Sequence, residues 1–316
     1  MKVILVGAGR MGLAHLRGLD GRDLEIHVVD PREATEADVR SLAASTGLAG
    51  SMEWHRSLSA APADADAVIL AETADGRLER LEHFVSQGVR KILVEKPLEQ
   101  SRLRTRRVAE LVQDHGVEAR VNFGFRTLAL YASAHEEPAP FRLTVTGGAF
   151  GLACNGIHFI DAALFMSRGD SAKLLFAEVL PDVVPSPRGP GFRDYGGEAL
   201  IRFADTSTLS LHSDPLTRGP IVVTLERPDR TTIVDLQGGA AIVYSEEPET
   251  HHPVYRYGVG YDRAEVDGIH RYDLTDVTRQ WLRGSIELPT VQQTMPAHEL
   301  LFDLLETTGE DRFAIT

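Results

Sequence analysis

The sequence predicts an α/β protein in two parts. Residues 1–122 read as a doubly wound parallel sheet covered by helices, and residues 123–316 as an α+β domain with an open-faced, mostly antiparallel sheet. Three observations carry this. A glycine pattern, Gly7-x-Gly9-x-x-Gly12, follows directly on the apolar run Val3–Val6. Up to about Asn122, short β-branched runs alternate with longer amphipathic ones, the pattern of a parallel sheet with helices on both faces. Beyond Asn122, β-like runs succeed one another with few helical stretches between them.

In the first domain the strands fall at Val3–Val6, Glu25–Val29, Ala67–Leu70, Lys91–Val94 and Glu118–Val121, with a weaker one near Met52. Helices fall at Met11–Leu19, Thr35–Thr46, Arg77–Gln87 and Arg102–His115, and Gly47, Gly88 and Gly116 stand where helices should stop. The first strand, the glycine turn, its helix and the strand Glu25–Asp30 make a complete βαβ unit, the Rossmann arrangement for binding dinucleotides. The three glycines meet three steric needs, which are a tight turn, close approach of backbone to a pyrophosphate, and close packing of helix on strand. Arg10 and Met11 complete the turn, so that the anion would rest on the helix N-terminus. Asp30 stands where a carboxylate accepts hydrogen bonds from the adenosine ribose and repels a 2′-phosphate, so NAD(H) is expected. Arg32, two residues on, is the counter-signal that keeps NADP(H) open as the alternative.

In the second domain the strands are Arg142–Thr146, Leu174–Leu180, Glu198–Phe203, Thr208–His212, Ile221–Glu226, Thr231–Leu236 and Ala241–Tyr244. Hairpin turns are placed at Ala204–Ser207 and Arg227–Arg230. One helix, Asn155–Met166, interrupts the strands, and the proline- and glycine-rich segment Leu180–Gly191 reads as a loop that could serve as a substrate lid. Helices at Leu274–Leu282 and Pro296–Leu305 close the chain, the latter expected to pack back against one of the domains. An antiparallel sheet with one face left open calls for a partner, so a homodimer or homotetramer through this sheet is expected.

The bulk chemistry narrows the function. A formal charge of −13 with no compensating basic block argues against nucleic acid and anionic membrane surfaces as partners. The densest basic stretch, Arg102–Arg107, reads as a solvated helix face. The single Cys154 excludes an internal disulfide and fits a reducing compartment. No signal peptide and no apolar stretch of membrane-spanning length is apparent, which points to the cytoplasm. His251 and His252 lack a supporting carboxylate or cysteine spacing and would point apart in a strand, so no metal is expected there.

Two stretches could carry chemistry. In Lys91–Pro97, KILVEKP, a buried strand ends in Glu95-Lys96, and Pro97 forces Lys96 into an extended conformation at the mouth of the sheet. Alternation would send Glu95 and Lys96 to opposite faces. An amine beside a bound nicotinamide can hydrogen-bond or protonate a reacting oxygen; the plainer alternative is a surface lysine. In Cys154–Asp161, helical spacing would put Cys154, His158 and Asp161 on one stripe, beside Ile157, Ile160 and Leu164. An imidazole is the usual proton acceptor for an alcohol losing hydride, and Asp161 could orient it. The alternative is a satisfied core histidine. Arg193-Asp194-Tyr195 could contact a polyol.

Together, GAGRMGLAH, the acid after the second strand, EKP and the G-x-H-x-x-D containing His158 resemble the Gfo/Idh/MocA oxidoreductases, in the expected order and over nearly the whole length. The resemblance implies a Rossmann domain for NAD(P), a sheet domain that supplies most of the substrate site, and oligomers packed through that sheet. It implies that Lys96 contacts the reacting hydroxyl or carbonyl and that His158 is the acid/base. It also implies that Arg126, near Asn122 at the domain junction, faces a substrate that is a sugar, cyclitol, sugar phosphate or sugar nucleotide. His15 is typical of the family and is expected near the phosphate loop. Two departures stand out. Many members carry aspartate where this chain has Cys154, a role Asn155 could partly fill. The loop after the fourth strand lacks the family's Thr-Pro and histidine, leaving Thr73 and Asp75 to line the nicotinamide ribose. The expected function is hydride transfer between NAD(H) and a secondary alcohol or ketone on a sugar-like ring. The rivals are a sensor that binds NAD and sugar without turnover, and an S-adenosylmethionine methyltransferase on a similar βαβ unit.

Overall fold

The computed structural model describes residues 1–20, 23–169, 171–185, 191–246, 261–310 and 313–315. They form two compact units, Met1–Gly124 with Asp273–His298 and Ala314–Thr316, and Phe125–Tyr272 with Glu299–Phe313.

In the first unit, β1 (Lys2–Val6), β2 (Glu25–Val29), β3 (Met52–His55), β4 (Ala67–Leu70), β5 (Lys91–Val94) and β6 (Glu118–Val121) make a six-stranded sheet in the order β3-β2-β1-β4-β5-β6. Every pairing in it is parallel. Its central strands have almost no exposed residue along Val3–Leu5, Val68–Leu70 and Ile92–Val94, as a sheet covered on both faces requires. Four helices connect the strands: α1 (Arg10–Gly18), α2 (Glu33–Thr46), α3 (Arg77–Ser86) and α4 (Arg102–Asp114). The Ser101 side chain caps α4 by accepting from the Arg104 amide. Chain order reverses between β1 and β4, and the carboxyl ends of strands at such a switch point are where ligands bind in open α/β sheets.

The second unit begins with a helix that the sequence pattern does not signal, α5 (Ala129–Glu136), followed by β7 (Arg142–Gly148) and α6 (Gly156–Ser167). Seven more strands follow: β8 (Ala172–Pro185), β9 (Arg193–Phe203), β10 (Thr208–Asp214), β11 (Val222–Glu226), β12 (Arg230–Asp235), β13 (Ala240–Glu246) and β14 (Tyr261–Asp267). The sheet order is β14-β13-β12-β11-β7-β10-β9-β8. Both expected hairpins form, β9 with β10 and β11 with β12. The sheet is not a simple meander, because β7 pairs parallel with β10 and antiparallel with β11. After β7 the chain passes through α6 to the far edge and works back to the centre.

Two expectations need correction. The segment Leu180–Gly191 is not a loop throughout: β8 continues to Pro185, with Val183–Pro185 opposite Tyr195–Arg193 after a register irregularity. Proline is tolerated there because β8 is an edge strand. The closing helix does not start at Pro296; after α7 (Leu274–Arg283), α8 runs Val291–Leu305 with Pro296 inside it. The strand β14 has no signal in the sequence, since its residues are exposed throughout and carry no burial pattern. His251 and His252 lie outside the described residues. No helix among the described residues is long and apolar enough to cross a membrane.

Candidate active site

The glycine turn is built as its spacing predicts. Gly7 has φ +89°, and a Cβ there would lie 2.6 Å from the Glu72 amide nitrogen. A Cβ at Gly12 would lie 1.9 Å from the Gly7 carbonyl oxygen, so only glycine lets α1 close on the turn. At Gly9 the nearest atom to an added Cβ is an Arg32 guanidinium nitrogen at 3.7 Å. The backbone at Gly9 is thus open, with exposed Arg10 and half-buried Met11 opening α1 beside it. This is a cradle of free space and helix-terminal amides that fits a diphosphate.

Asp30, 2 % exposed, anchors the rim of that cradle. Its carboxylate accepts from the Ala8 amide at 2.7 Å and the Arg32 amide at 2.9 Å. The Arg32 guanidinium donates to both of its oxygens, at 2.9 and 2.6 Å. Burial pushes the Asp30 carboxyl up, but these donors outweigh it and hold it below the usual range. Arg32, which its position in the sequence marks as the cation for a 2′-phosphate, is folded back onto Asp30 with its side chain 58 % exposed. Thr73 is half-buried and Asp75 exposed in the loop between β4 and α3.

The strand β5 ends at Val94, so Glu95 and Lys96 both lie just beyond its carboxyl end. Both are buried, at 4 % and 6 % exposed, and the Lys96–Pro97 peptide is cis. Glu95 is the centre of a polar cluster. Its Oε1 receives the Asn122 amide at 2.7 Å and pairs with His15 Nε2 at 2.9 Å, while His15 Nδ1 is 2.7 Å from Thr278 Oγ1 on α7. Asn122, expected to touch substrate, presents its amide to Glu95, and His15 is a buried link in the same chain.

Against the cost of burial, the His15 hydrogen bond and charge, the Lys96 charge and the Asn122 bond bring the Glu95 carboxyl down to about 2. A carboxyl depressed on folding contributes stability above its unfolded value near 4.5, and that contribution is lost as pH falls towards 2. The difference corresponds to about 3 kcal/mol. Acid titration followed by circular dichroism should accordingly show a steep loss of stability between pH 4.5 and 2. Glu95→Gln should flatten that slope; an unchanged slope would remove Glu95 as its source.

Arg77, which sequence reasoning missed, braces the same loop. Only 1 % exposed, it donates to the carbonyl oxygens of Glu95, Pro97 and Glu72. Its one signal in the sequence is a cation at a helix N-terminus, where the macrodipole disfavours it. Glu99, 0 % exposed, accepts from the Leu78 amide at 2.7 Å and from Arg104, fixing the far end of the loop.

In the second unit, His158 lies in the first turn of α6, 7 % exposed, with its ring stacked on Phe125 at 4.6 Å and 20°. Phe125 also meets Tyr131, Phe159, His270 and Tyr272. Within this aromatic wall the Tyr131 hydroxyl is 2.8 Å from His270 Nε2, and burial brings His270 down to about 4. His270 is therefore neutral at ordinary pH. The wall assembles from residues far apart in sequence and is not legible there.

Asp161 does not play the expected part of steering His158. Both its oxygens accept from Arg126, at 2.8 and 2.6 Å, in a fork whose carboxylate is fully buried and whose cation is 15 % exposed. Burial raises the Asp161 carboxyl and the guanidinium opposes it. Arg126 is thus a partly buried counter-ion to Asp161. Cys154 is not on the helical stripe with His158, because α6 starts at Gly156 with Asn155 as its cap. Its amide and that of Ala153 donate to Asp194 Oδ1 at 3.3 and 3.0 Å, so Asp194, expected to contact a polyol, shapes the turn before α6. The Asn155 side chain donates to the Phe150 carbonyl.

Residues 1–123 match the family model described as oxidoreductase family, NAD-binding Rossmann fold. Comparison with curated protein sequences gives no match. Among solved structures, UDP-N-acetylglucosamine 3-dehydrogenase from Acidithiobacillus ferrooxidans superposes with TM-score 0.73 at 15% identity, covering 96% of each chain. Levoglucosan dehydrogenase in complex with NADH gives 0.73 at 15%, covering 99% of this chain and 98% of that one. A protein of gentamicin A biosynthesis in complex with NAD gives 0.69 at 21%, covering 99% and 95%. These likenesses extend the shared fold over both units.

Proposed function

We propose, from the match of residues 1–123 to the NAD-binding Rossmann fold of the Gfo/Idh/MocA oxidoreductase family, that the protein oxidises or reduces a sugar, cyclitol or sugar derivative at a secondary alcohol or ketone. The observation that carries this reading is a buried lysine, Lys96, just beyond the carboxyl end of β5 in the NAD-binding unit. Bound NAD supplies the hydride acceptor or donor. Gly7, Gly9, Arg10, Met11 and Gly12 would hold its diphosphate, Asp30 and Arg32 its adenosine ribose, and Thr73, Glu95 and Lys96 its nicotinamide end. Lys96 holds the substrate oxygen, and His158 takes or returns the hydroxyl proton. Glu95 acts through Lys96 by supplying a fixed negative charge, and Asp161 acts through Arg126. Cys154 and Asn155, on the turn before His158, would border the substrate with Asn122 and Arg126.

Two of the structural neighbours are named as dehydrogenases of sugar derivatives, which supports the substrate class. A homodimer or homotetramer through the second unit's sheet belongs to the same reading. Exposed Leu175 and Phe176 on β8 and Tyr261 and Val266 on β14 supply apolar surface for a second copy to cover.

The test is a panel of sugars, cyclitols and their phosphates and nucleotides, incubated with protein and NAD+ while nicotinamide absorbance is followed. Absorbance should rise with at least one alcohol, and the matching ketone should reverse it with NADH. NADH binding seen by fluorescence with no turnover across the panel would favour a sensor. Failure to bind NADH would end the proposal.

A further inference from the structure

The edge of the first sheet carries a group that the proposed reaction does not use. Parallel register sets His27 of β2 opposite Glu53 of β3, and Val29 opposite His55. Residues two apart on a strand share a face, so Glu25, His27, Glu53 and His55 all stand on the same side of two adjacent strands. The ligating atoms of His27, Glu53 and His55 lie within 4.8 Å of one another. Among the described residues, no other set of three His, Cys, Asp or Glu side chains brings its donors this close.

We propose that His27, Glu53 and His55 bind a divalent transition-metal ion, with zinc the best fit, at the β2–β3 edge of the sheet. Two imidazoles and a carboxylate are a donor set that zinc takes readily. Bond lengths of about 2.0–2.1 Å around a tetrahedral ion place its ligand atoms about 3.3–3.4 Å apart. Here His27 Nδ1 and His55 Nε2 are 2.9 Å apart, and Glu53 Oε2 is 3.7 Å from the first and 3.9 Å from the second. The imidazoles need to part by a few tenths of an ångström and the Glu53 carboxylate to approach by about as much. Glu53 can do so, since its side chain is 70 % exposed.

The surroundings already have the form of a metal's outer shell. Glu25 Oε1 lies 2.9 Å from His27 Nε2, the carboxylate–histidine pairing that fixes the tautomer of a ligating imidazole. With Nε2 donating to Glu25, Nδ1 of His27 is left as a lone pair facing the cluster. The hydrogen in the His27–His55 bond then sits on His55 Nε2, where the ion would take its place. The displaced proton moves to His55 Nδ1 when that ring is neutral and to solvent when it is charged. Lys2 is the nearby cation, 3.8 Å from Glu25 but 2.7 Å from Asp64, which offsets it. The formal charge of −13 further favours a cation. Three protein ligands leave the fourth position to water. A bound ion would pin β3 to β2, next to the Asp30 amide that donates to the His55 carbonyl at 3.0 Å.

The full chain should be loaded with ZnCl2, dialysed and assayed for metal by atomic emission, with affinity measured by competition against a chromophoric chelator. About one zinc per chain is expected, and cobalt in its place should give the visible bands of tetrahedral coordination. His55→Ala and Glu53→Gln, at the exposed edge, should each weaken binding by tenfold or more, and Glu25→Gln by about 10–100-fold. Replacing His251 and His252 with alanine should change nothing. Absence of bound zinc in the wild type would overturn the proposal, as would binding unaltered by His55→Ala and Glu53→Gln.

Discussion

Lys96→Met is expected to lower turnover by about 10² to 10⁴-fold, the usual worth of a positioned acid or base, while leaving NADH binding nearly intact. Methionine keeps most of the buried aliphatic stem and removes the amine, so the loop from Glu95 to Pro97 should hold its shape under Arg77 and Glu99. The comparison of nicotinamide fluorescence on binding with steady-state rates separates the two effects. If turnover were unchanged with NADH affinity also unchanged, Lys96 would have no part in the chemistry. If both fell together, Lys96 would act chiefly through its hold on the nicotinamide end rather than on the reacting oxygen.

The second large effect is structural. Arg126→Met leaves the fully buried Asp161 carboxylate without its fork, and breaking one side of such a pair costs about 3–5 kcal/mol. Denaturant unfolding should report that loss. The double variant Arg126→Met with Asp161→Leu should recover most of it, because two apolar groups replace two desolvated charges. A single variant as stable as the wild type would contradict the pairing. A double variant no better than the single would show that the loss comes from packing, not from the stranded charge.

The legible parts of the fold are those written in local pattern. Val3–Val6, Ala67–Leu70 and Lys91–Val94 are short apolar runs, and β1, β4 and β5 are found there. Gly47 ends α2 in the left-handed conformation its position predicts. In the second unit the turns at Ala204–Ser207 and Arg227–Arg230 are visible, because hairpins are set by a few adjacent residues. The parallel pairing of β7 with β10 is not, because it joins strands far apart in the chain with no turn between them to signal it. Pro181 and Pro185 read as loop because proline breaks interior strands, and only the sheet order makes β8 an edge. The chemistry follows the same division. Spacing and motif single out the glycine turn, Asp30, Lys96 and His158 as candidates. The partners that fix their surroundings, such as Arg77 over the Glu95 loop and Phe125 under His158, come together only through tertiary packing. Helical spacing favours neighbours on one helix and so pairs Asp161 with His158, whereas its two oxygens face Arg126 from outside α6. His27, Glu53 and His55 escape a reading by spacing because nothing local says that β2 and β3 are neighbours in that register.

The most direct test of the central claim is a crystal structure of the protein with NADH and the alcohol or ketone that the panel identifies. The account predicts Lys96 Nζ and a His158 ring nitrogen both within about 2.6–3.2 Å of the same substrate oxygen, with the carbon bearing it over the nicotinamide. A substrate oxygen held by neither nitrogen, or by groups that leave Lys96 and His158 in separate surroundings, would contradict it.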